Sequence, residues 1–430
     1  MGANMTEAFQ FEGSNAMPAG TWHFLKMNDT AIEIPEGLAI APQVECRMDE
    51  KHRSDADFME VLGAFEQGWL VEFPAPTPEE IAAQEAARAS EADATYGGTA
   101  QSAYQMQAEA LEQAHSLTVS FENGVGDETA AYLRYVAGEP IVVKAEQREN
   151  ASVHVHVAGA PGTISIAAID VIAGAGASVT LAVTVDSPVD AGPCAIPGIA
   201  GTTVRVFADA EAEVRIGRTQ ALGPGVIDID DMGLFVGENS AVSIYQGVLG
   251  GSASFTGLAG DLRGRKSSVD VETRYLGFGA QKRDFNYVLR HHGQKSKCNL
   301  QATGVLAGTS QKTLRGTIDL IRGAKGAEGQ ENESVLLVDE GVRNKTVPVI
   351  LCNEDDVAGN HGATIGHVRP EQMYYLASRG LSQEAAERMF VGAAMEQAYY
   401  SATDGFARQA VLNLGEHEAP GFASLFDEED

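Results

Sequence analysis

Cysteine is scarce and dispersed: the 430 residues hold only Cys46, Cys194, Cys298 and Cys352, and no two form a CxxC pair. This excludes a disulfide framework or a zinc knuckle and leaves any metal site made by this chain alone poor in thiolate. Basic residues are few as well, 30 against 60 acidic ones, for a formal charge of −30. A surface of that sign repels phosphate backbones and anionic headgroups, which argues against nucleic acid or a membrane as partner. No apolar run approaches the roughly 20 residues that a membrane-spanning helix needs. The N-terminus carries Glu7 and Glu12 without a basic stretch, unlike a signal peptide, so the expected location is cytoplasmic. Motifs of hydrolysis are missing too: there is no GxxxxGKS/T, GxSxG or HExxH. The chain is not expected to hydrolyse nucleotides itself.

What is present divides into three regions by period. Residues 1–116 read as mainly helical, with helices expected at 57–69, 78–88 and 99–115. The second is marked by Thr77-Pro78-Glu79-Glu80, an N-cap, a proline at the first position and acids in the first turn. Residues 18–26, around Trp22, read as an apolar anchor for a loose terminus. Residues 117–368 change to a period of two, as in Val153-His154-Val155-His156-Val157, with Gly, Asp, Asn and Ser between the runs. Residues 369–430 return to a helical period. Helices are expected over 370–379, ending at Gly380, from Ser382 to about 401, and over 404–414, before an acidic tail.

The middle region repeats. Gly237-Glu238-Asn239-Ser240-Ala241-Val242-Ser243-Ile244 matches the octets beginning at Gly264 and Gly293 in residue type at the first, fourth, sixth and eighth places. Looser copies begin at Arg148, Gly174 and Asp209, at intervals of 26, 35, 28, 27 and 29 residues. A tight corner followed by a strand, recurring at that length, is the signature of stacked coils in a β-solenoid. The long interval contains residues 187–194, read as a loop bulging from one coil.

Several side chains could carry chemistry. His154 and His156 share one strand face at a chelating spacing, but no third ligand lies within reach in sequence, and a solvated face explains them as well. His291-His292 precede the Gly293 corner and are expected to line a turn. Asp228, Asp230 and Asp231 with Arg263 and Arg265 suit a carbohydrate-active enzyme on a solenoid face. The aromatic platforms of such a groove are sparse, however, and both tryptophans, Trp22 and Trp69, fall outside this region. Cys352 reads as a buried strand residue. His361 stands after Asp355-Asp356-Val357 and before a Gly-Ala-Thr-Ile-Gly turn, at the mouth of the last coil, as a structural histidine or a metal ligand. Met389, Phe390, Ala393, Met395, Tyr399 and Tyr400 on the terminal helices are either a capping core or a docking face for another protein.

Asp355-Asp356-Val357, His361-Gly362-Ala363-Thr364 and the Tyr375…Arg379-Gly380 helix, preceded by Arg315-Gly316, Gly323-Ala324, Glu331-Asn332 and Leu336-Leu337-Val338, resemble the SufB/SufD family of iron–sulfur cluster assembly proteins, in its SufD-like form. The resemblance implies a right-handed parallel β-helix flanked by helical N- and C-terminal regions. It further implies a non-catalytic scaffold subunit that pairs with a SufB-like homologue through the β-helix and binds a SufC-like ABC ATPase through its C-terminal helices, with Tyr374, Tyr375, Arg379, Met389, Phe390 and Met395 as the candidate contacts. His361 would be a ligand to a transient iron–sulfur cluster shared with the partner's cysteine, with no cofactor held by this chain alone. Two departures stand out: Gly359 occupies a position that is often cysteine, and Asn332-Glu333-Ser334 and Gly362 replace SufB-type Cys-Asp-Ser and glutamate. The alternative is a homomeric solenoid binding protein without a metal role; homodimerisation in isolation is left open.

Overall fold

A computed structural model describes residues 6–19, 26–69, 121–190 and 196–426. The helices expected over 78–88 and 99–115, Trp22, Cys194 and the final acidic residues from 427 lie outside the described residues. Two compact units result, 59–121 and the remainder. Of the first, residues 59–69 and 121 are described, the former as all but the first residue of α1 (Phe58–Trp69), which begins one residue beyond the expected start.

Residues 6–53, expected to be mainly helical, instead hold β1 (Phe9–Ser14), β2 (Thr30–Ile34), β3 (Ala39–Ile40) and β4 (Val44–Met48). The reason is visible in Thr30-Ala31-Ile32-Glu33-Ile34 and Val44-Glu45-Cys46-Arg47-Met48, which alternate with a period of two. Conversely, α2 (Asp127–Ala137) is a helix inside the stretch read as all-β. Its Ala130, Leu133 and Val136 fall at helical spacing and cluster with Ile164, Ile166, Ile199, Ile229 and the β2 residues Ile32 and Ile34. Arg134 of this helix and Arg205 both bond the buried carboxylate of Asp170, at 2.8 and 2.6 Å, fixing the helix on the sheet.

After β5 (Ile141–Ala145) come fifteen strands: β6 (Asn150–Ala158), β7 (Thr163–Ala173), β8 (Ser178–Asp186), β9 (Gly198–Ala208), β10 (Glu213–Ala221), β11 (Val226–Val236), β12 (Ala241–Val248), β13 (Ala253–Leu262), β14 (Ser268–Gly277), β15 (Lys282–His291), β16 (Lys297–Leu306), β17 (Gln311–Leu320), β18 (Glu328–Leu337), β19 (Arg343–Cys352) and β20 (Ala358–His367). Even-numbered strands from β6 pair in parallel in one sheet and odd-numbered strands from β7 in the other, so each coil places one strand in each sheet. The result is a parallel β-solenoid of about eight turns. Its lumen is filled by a single apolar cluster running from Val143 to Leu337.

The repeat corresponds to the pairing register. Val179, Val214, Val242, Val269 and Cys298 stack on one another, as do Leu181, Ile216, Ile244, Val271 and Leu300. The third residue of each octet takes a left-handed conformation at Gly176, Glu211, Asn239, Lys266 and Lys295, φ 53–69°, and its N–H donates to a carbonyl of the following coil. Arg148 shares that conformation and that hydrogen bond, and Ala151 pairs with Val179. The first copy therefore begins at Glu146, two residues before the expected start. A slip of two preserves which side chains face inward, so the period alone could not reveal it.

The terminal helices are α3 (Pro370–Ser378), α4 (Gln383–Ser401) and α5 (Gly405–Glu418). Ser382 and Asp404 cap the last two by accepting from the N–H groups of Ala385 and Ala407. The third extends four residues beyond expectation. Val391, Met395, Val411 and Leu414 pack with Ala221, Leu249 and Leu276 of the solenoid wall.

Close stacking makes the corner glycines testable. A β-carbon on Gly293 would lie 1.9 Å from the Gly264 carbonyl oxygen, whereas one on Gly392 in α4 meets nothing within 4 Å. Gly293→Ala is expected to lose about 3 kcal/mol in urea unfolding, by overpacking against backbone, and Gly392→Ala to gain up to about 1 kcal/mol. Equal effects of the two substitutions would contradict this stacking.

Candidate functional site

The two ends of the solenoid are finished differently. At the N-terminal end β4 runs antiparallel to β6, places Val44, Cys46 and Met48 against the core, and carries an exposed Glu45–Arg47 pair. Inward apolar residues and outward charges are a usual way of closing a sheet edge. At the C-terminal end β20 and β19 are the last strands of their sheets. Every residue of β20 is exposed except the half-buried Gly366, and none carries a formal charge if His361 and His367 are neutral.

The free backbone groups follow from the ladder. The N–H groups of Ala358 and Val368 donate to the carbonyls of Ala327, just before β18, and Leu337, its last residue, so in a regular parallel register the even-numbered residues of β20 bond inward to the sheet. Gly359, His361, Ala363, Ile365 and His367 therefore present N–H and C=O off the edge. In β19 the phase is opposite: Arg343 and Asn353 donate to the preceding coil, which leaves the even-numbered residues pointing outward. Pro348 is one of these and has no N–H to offer, and Arg343 and Lys345 add positive charge. One edge is guarded and the other is not.

His361 sits on the unguarded edge, in register with Glu331 of β18. The octet shows why. Its sixth and eighth places, apolar in the earlier copies, become Gly329 and Glu331 in β18, then Gly359 and His361 in β20. The apolar stack thus ends in two glycines beside a carboxyl and an imidazole on the lumen side. Glu331 is only 4% exposed, and its Oε2 is buried without a hydrogen-bond partner. Burial, then the neighbouring Glu333 charge, pushes its carboxyl up to about 8, and Lys312 opposes them. Gly316 leaves the space, since a β-carbon there would lie 2.3 Å from Glu331 Oε1. Beside it Glu333 is satisfied by Lys312 Nζ at 2.5 Å, Tyr275 Oη at 2.8 Å and Thr346 Oγ1 at 2.6 Å.

Cys352, read as a buried strand residue, is exposed at the end of β19, because no further coil stacks over it. Its thiol lies 3.4 Å from the Glu354 carbonyl oxygen. A side chain at Gly359 would press on Ile350 Cγ2 at 3.0 Å, so Ile350 occupies part of the space a cysteine would need. Among the described residues no group of three or more His, Cys, Asp and Glu is arranged to hold a metal ion. His361 thus has no companion ligand set among the described residues.

The sequence profile of the SUF system FeS cluster assembly SufBD core domain matches residues 145–394, more than half of the chain and all of this edge. The chain belongs to the SufB/SufD family. Among its relatives, the iron–sulfur cluster assembly protein SufD of Bacillus subtilis is 29% identical over 187 residues, 43% of each chain. SufD of Escherichia coli is 27% identical over 194 residues, 44% of this chain and 45% of that one. A SufBD family protein of Staphylococcus epidermidis is 26% identical over 225 residues, 51% and 47% of the two chains. The matched stretches thus span about half or less of each relative's length.

In this SufB/SufD-family chain most of the terminal-helix residues expected to face a partner reach the surface. Tyr374 is 77% exposed, Tyr375 and Met389 are also exposed, Phe390 is half-buried, and the Arg379 guanidinium lies 5.2 Å from the Tyr375 ring centroid. Met395 is corrected: it is fully buried in the cluster that fixes α4 to the solenoid, and belongs to the core. No described helix is long and apolar enough to cross a membrane.

The remaining candidates are structural. His154 Nε2 lies 3.2 Å from Asp404 Oδ2 and its ring stacks on Phe406, while His156 bonds Asp186 at 2.8 Å. The pair secures the start of α5 on the sheet rather than facing solvent. His291 is buried, bonded to Ser296 Oγ and Cys298 Sγ at 2.7 and 3.1 Å, and burial lowers its ring to about 4. His292 bonds Asp261. Asp228, Asp230 and Asp231 are fully buried, so no substrate groove contains them, and Arg263 and Arg265 pair instead with Asp261 and Glu238.

Asp231 carries a testable consequence. Burial raises its carboxyl to about 7, against hydrogen bonds from the Val125 N–H and Thr203 Oγ1. The folded chain therefore holds this proton more tightly than the unfolded chain. Its contribution to stability is full below about pH 4 and is lost as pH rises to about 7. Asp231→Asn is expected to flatten the fall in urea-unfolding free energy between pH 4.5 and 7.5, by up to about 1.4 kcal/mol per pH unit. Parallel profiles for the two proteins would contradict the assignment.

Proposed function

We propose that this chain is a SufD-like, non-catalytic scaffold that pairs through β20 with a cysteine-bearing SufB-like homologue and helps to assemble iron–sulfur clusters for apo-proteins in the cytoplasm. The observation that carries this reading is the unguarded edge strand bearing His361. A partner strand laid along β20 satisfies its outward N–H and C=O groups and covers Ile365, which is half exposed in the free chain. His361 then lies within the junction, where one ring nitrogen can bind iron of a nascent cluster whose other ligands are thiolates of the partner. Mixed imidazole and thiolate ligation of iron has precedent in Rieske centres. The cluster is cargo, held between two chains and passed on.

Tyr374, Tyr375, Arg379, Met389 and Phe390 are proposed to receive a SufC-like ABC ATPase. The aromatic rings and the arginine supply the large, rigid contacts typical of interface anchors. Movement of that ATPase on nucleotide hydrolysis would reach the junction through α3, which follows β20 after two residues.

Co-expression with SufB-like and SufC-like proteins tests the reading with two substitutions. Ala363→Pro removes an N–H that points off the edge and leaves the β18 ladder whole, so the chain is expected to fold but to lose the SufB-like partner on co-purification. His361→Ala is expected to retain both partners and to lower iron and sulfide in the anaerobically reconstituted complex at least about tenfold, the scale of one lost metal ligand. Normal partner recovery with Ala363→Pro, or normal cluster content with His361→Ala, would overturn it. Recovery of self-paired chain alone, sensitive to Ala363→Pro and free of metal, would favour the homomeric binding protein.

A further inference from the structure

We propose that Glu331 is a positioning residue for His361: its carboxylate accepts the N–H of one ring nitrogen and leaves the other nitrogen's lone pair directed out of the lumen. The inference rests on the reading of His361 given above and deepens it. Register places the two residues side by side on neighbouring parallel strands, both on the lumen side. Neighbouring strands lie about 4.8 Å apart, so rotation of the His361 side chain brings a ring nitrogen within hydrogen-bond reach of the carboxylate.

Three observations indicate that the carboxylate is held for a partner it lacks in the free chain. Glu331 is 96% removed from solvent, yet its Oε2 is buried with no donor. The nearby lysine is already committed, since Lys312 Nζ bonds Glu333, the Lys345 carbonyl and Thr346 Oγ1. Gly316 clears the space in which the carboxylate lies, where any side chain would collide with it. A buried acceptor without a donor is costly, and among the described residues His361 is the neighbour in register that can supply one. A metal-binding histidine characteristically donates its second ring N–H to such an acceptor, which fixes both the tautomer and the ring plane.

The test uses the full chain without metal or partner. Selective ¹⁵N-histidine labelling, with the His361 resonances assigned by their loss in His361→Gln, reports which ring nitrogen carries the proton at a basic pH, above the value of about 8 to which burial raises the Glu331 carboxyl. The wild-type chain is expected to show one dominant His361 tautomer. Glu331→Leu, which removes the acceptor, is expected to shift the tautomer ratio by about tenfold, the scale of one hydrogen bond to a charged group, while Glu331→Gln, which keeps a neutral acceptor, restores part of the preference. A purely structural role for Glu331 would change thermal stability and leave the His361 spectrum unchanged, and that result overturns the inference. If Glu331→Leu does not fold, Glu331→Gln decides, through movement or constancy of the protonated-nitrogen shift. Failure here leaves cluster loss in His361→Ala standing, so the two claims fall separately.

Discussion

Each coil of a parallel solenoid needs the next one. A strand's N–H and C=O groups, its inward side chains and its left-handed corner are all completed by the equivalent residue one turn later, as the corner bonds from Arg148 to Gly326 illustrate. Stacking can be extended by repetition but cannot complete itself, so it must be terminated by something other than another coil. The N-terminal end is finished by antiparallel β4 with charge on its outer face. The C-terminal end leaves a full strand whose outward backbone groups have no partner among the described residues. The proposed partner interface, the placement of His361 and the exposure of Cys352 all depend on that difference.

The same stacking explains how so many polar groups survive inside. Arg218 is fully buried between Asp228 and Asp230, at 2.5 and 3.0 Å, and Thr202, Gln246 and Ser254 satisfy the remaining carboxylate oxygens. Burial nonetheless lifts Asp230 to about 6, against the pull of Arg218. Arg283 has no carboxylate among its partners and is held by the carbonyls of Leu249, Gly251, Leu276 and Lys282 together with Gln281 Oε1. Burial lowers its guanidinium to about 10. These networks are nearly saturated, as buried charge requires. Glu331 departs from that rule one coil below the open end, which is why it reads as part of a site rather than part of the frame.

Much of the solenoid was legible in the sequence because its corner chemistry and its inward period are local. The octets at Gly237, Gly264 and Gly293 give strand positions, faces and coil length directly. The two copies nearest the site were not read as copies, since Gly329, Glu331, Gly359 and His361 replace the apolar residues that define the pattern. The interruption of the repeat is itself the signal, visible once the register is extended through Gly326 and Asp356. His361 was legible from its family motif. Pro348 as a guard and the edge phase of Ala363 were not, because both depend on which backbone groups point away from the sheet. The N-terminal strands were missed where short alternating runs were overshadowed by strong helical signals farther along. Met395 was misplaced because α4 has apolar residues on several faces, so its sequence alone does not say which face meets the solenoid.

The central claim is that the β20 edge, and not the β19 edge, is where the partner strand adds. Hydrogen–deuterium exchange of the chain alone and in complex with its SufB-like homologue tests it directly. The account predicts fast exchange at residues 359, 361, 363, 365 and 367 in the free chain, strong protection there on complex formation, and little change over 344–352. Protection confined to 344–352, or a complex that forms while those five residues still exchange freely, would contradict it.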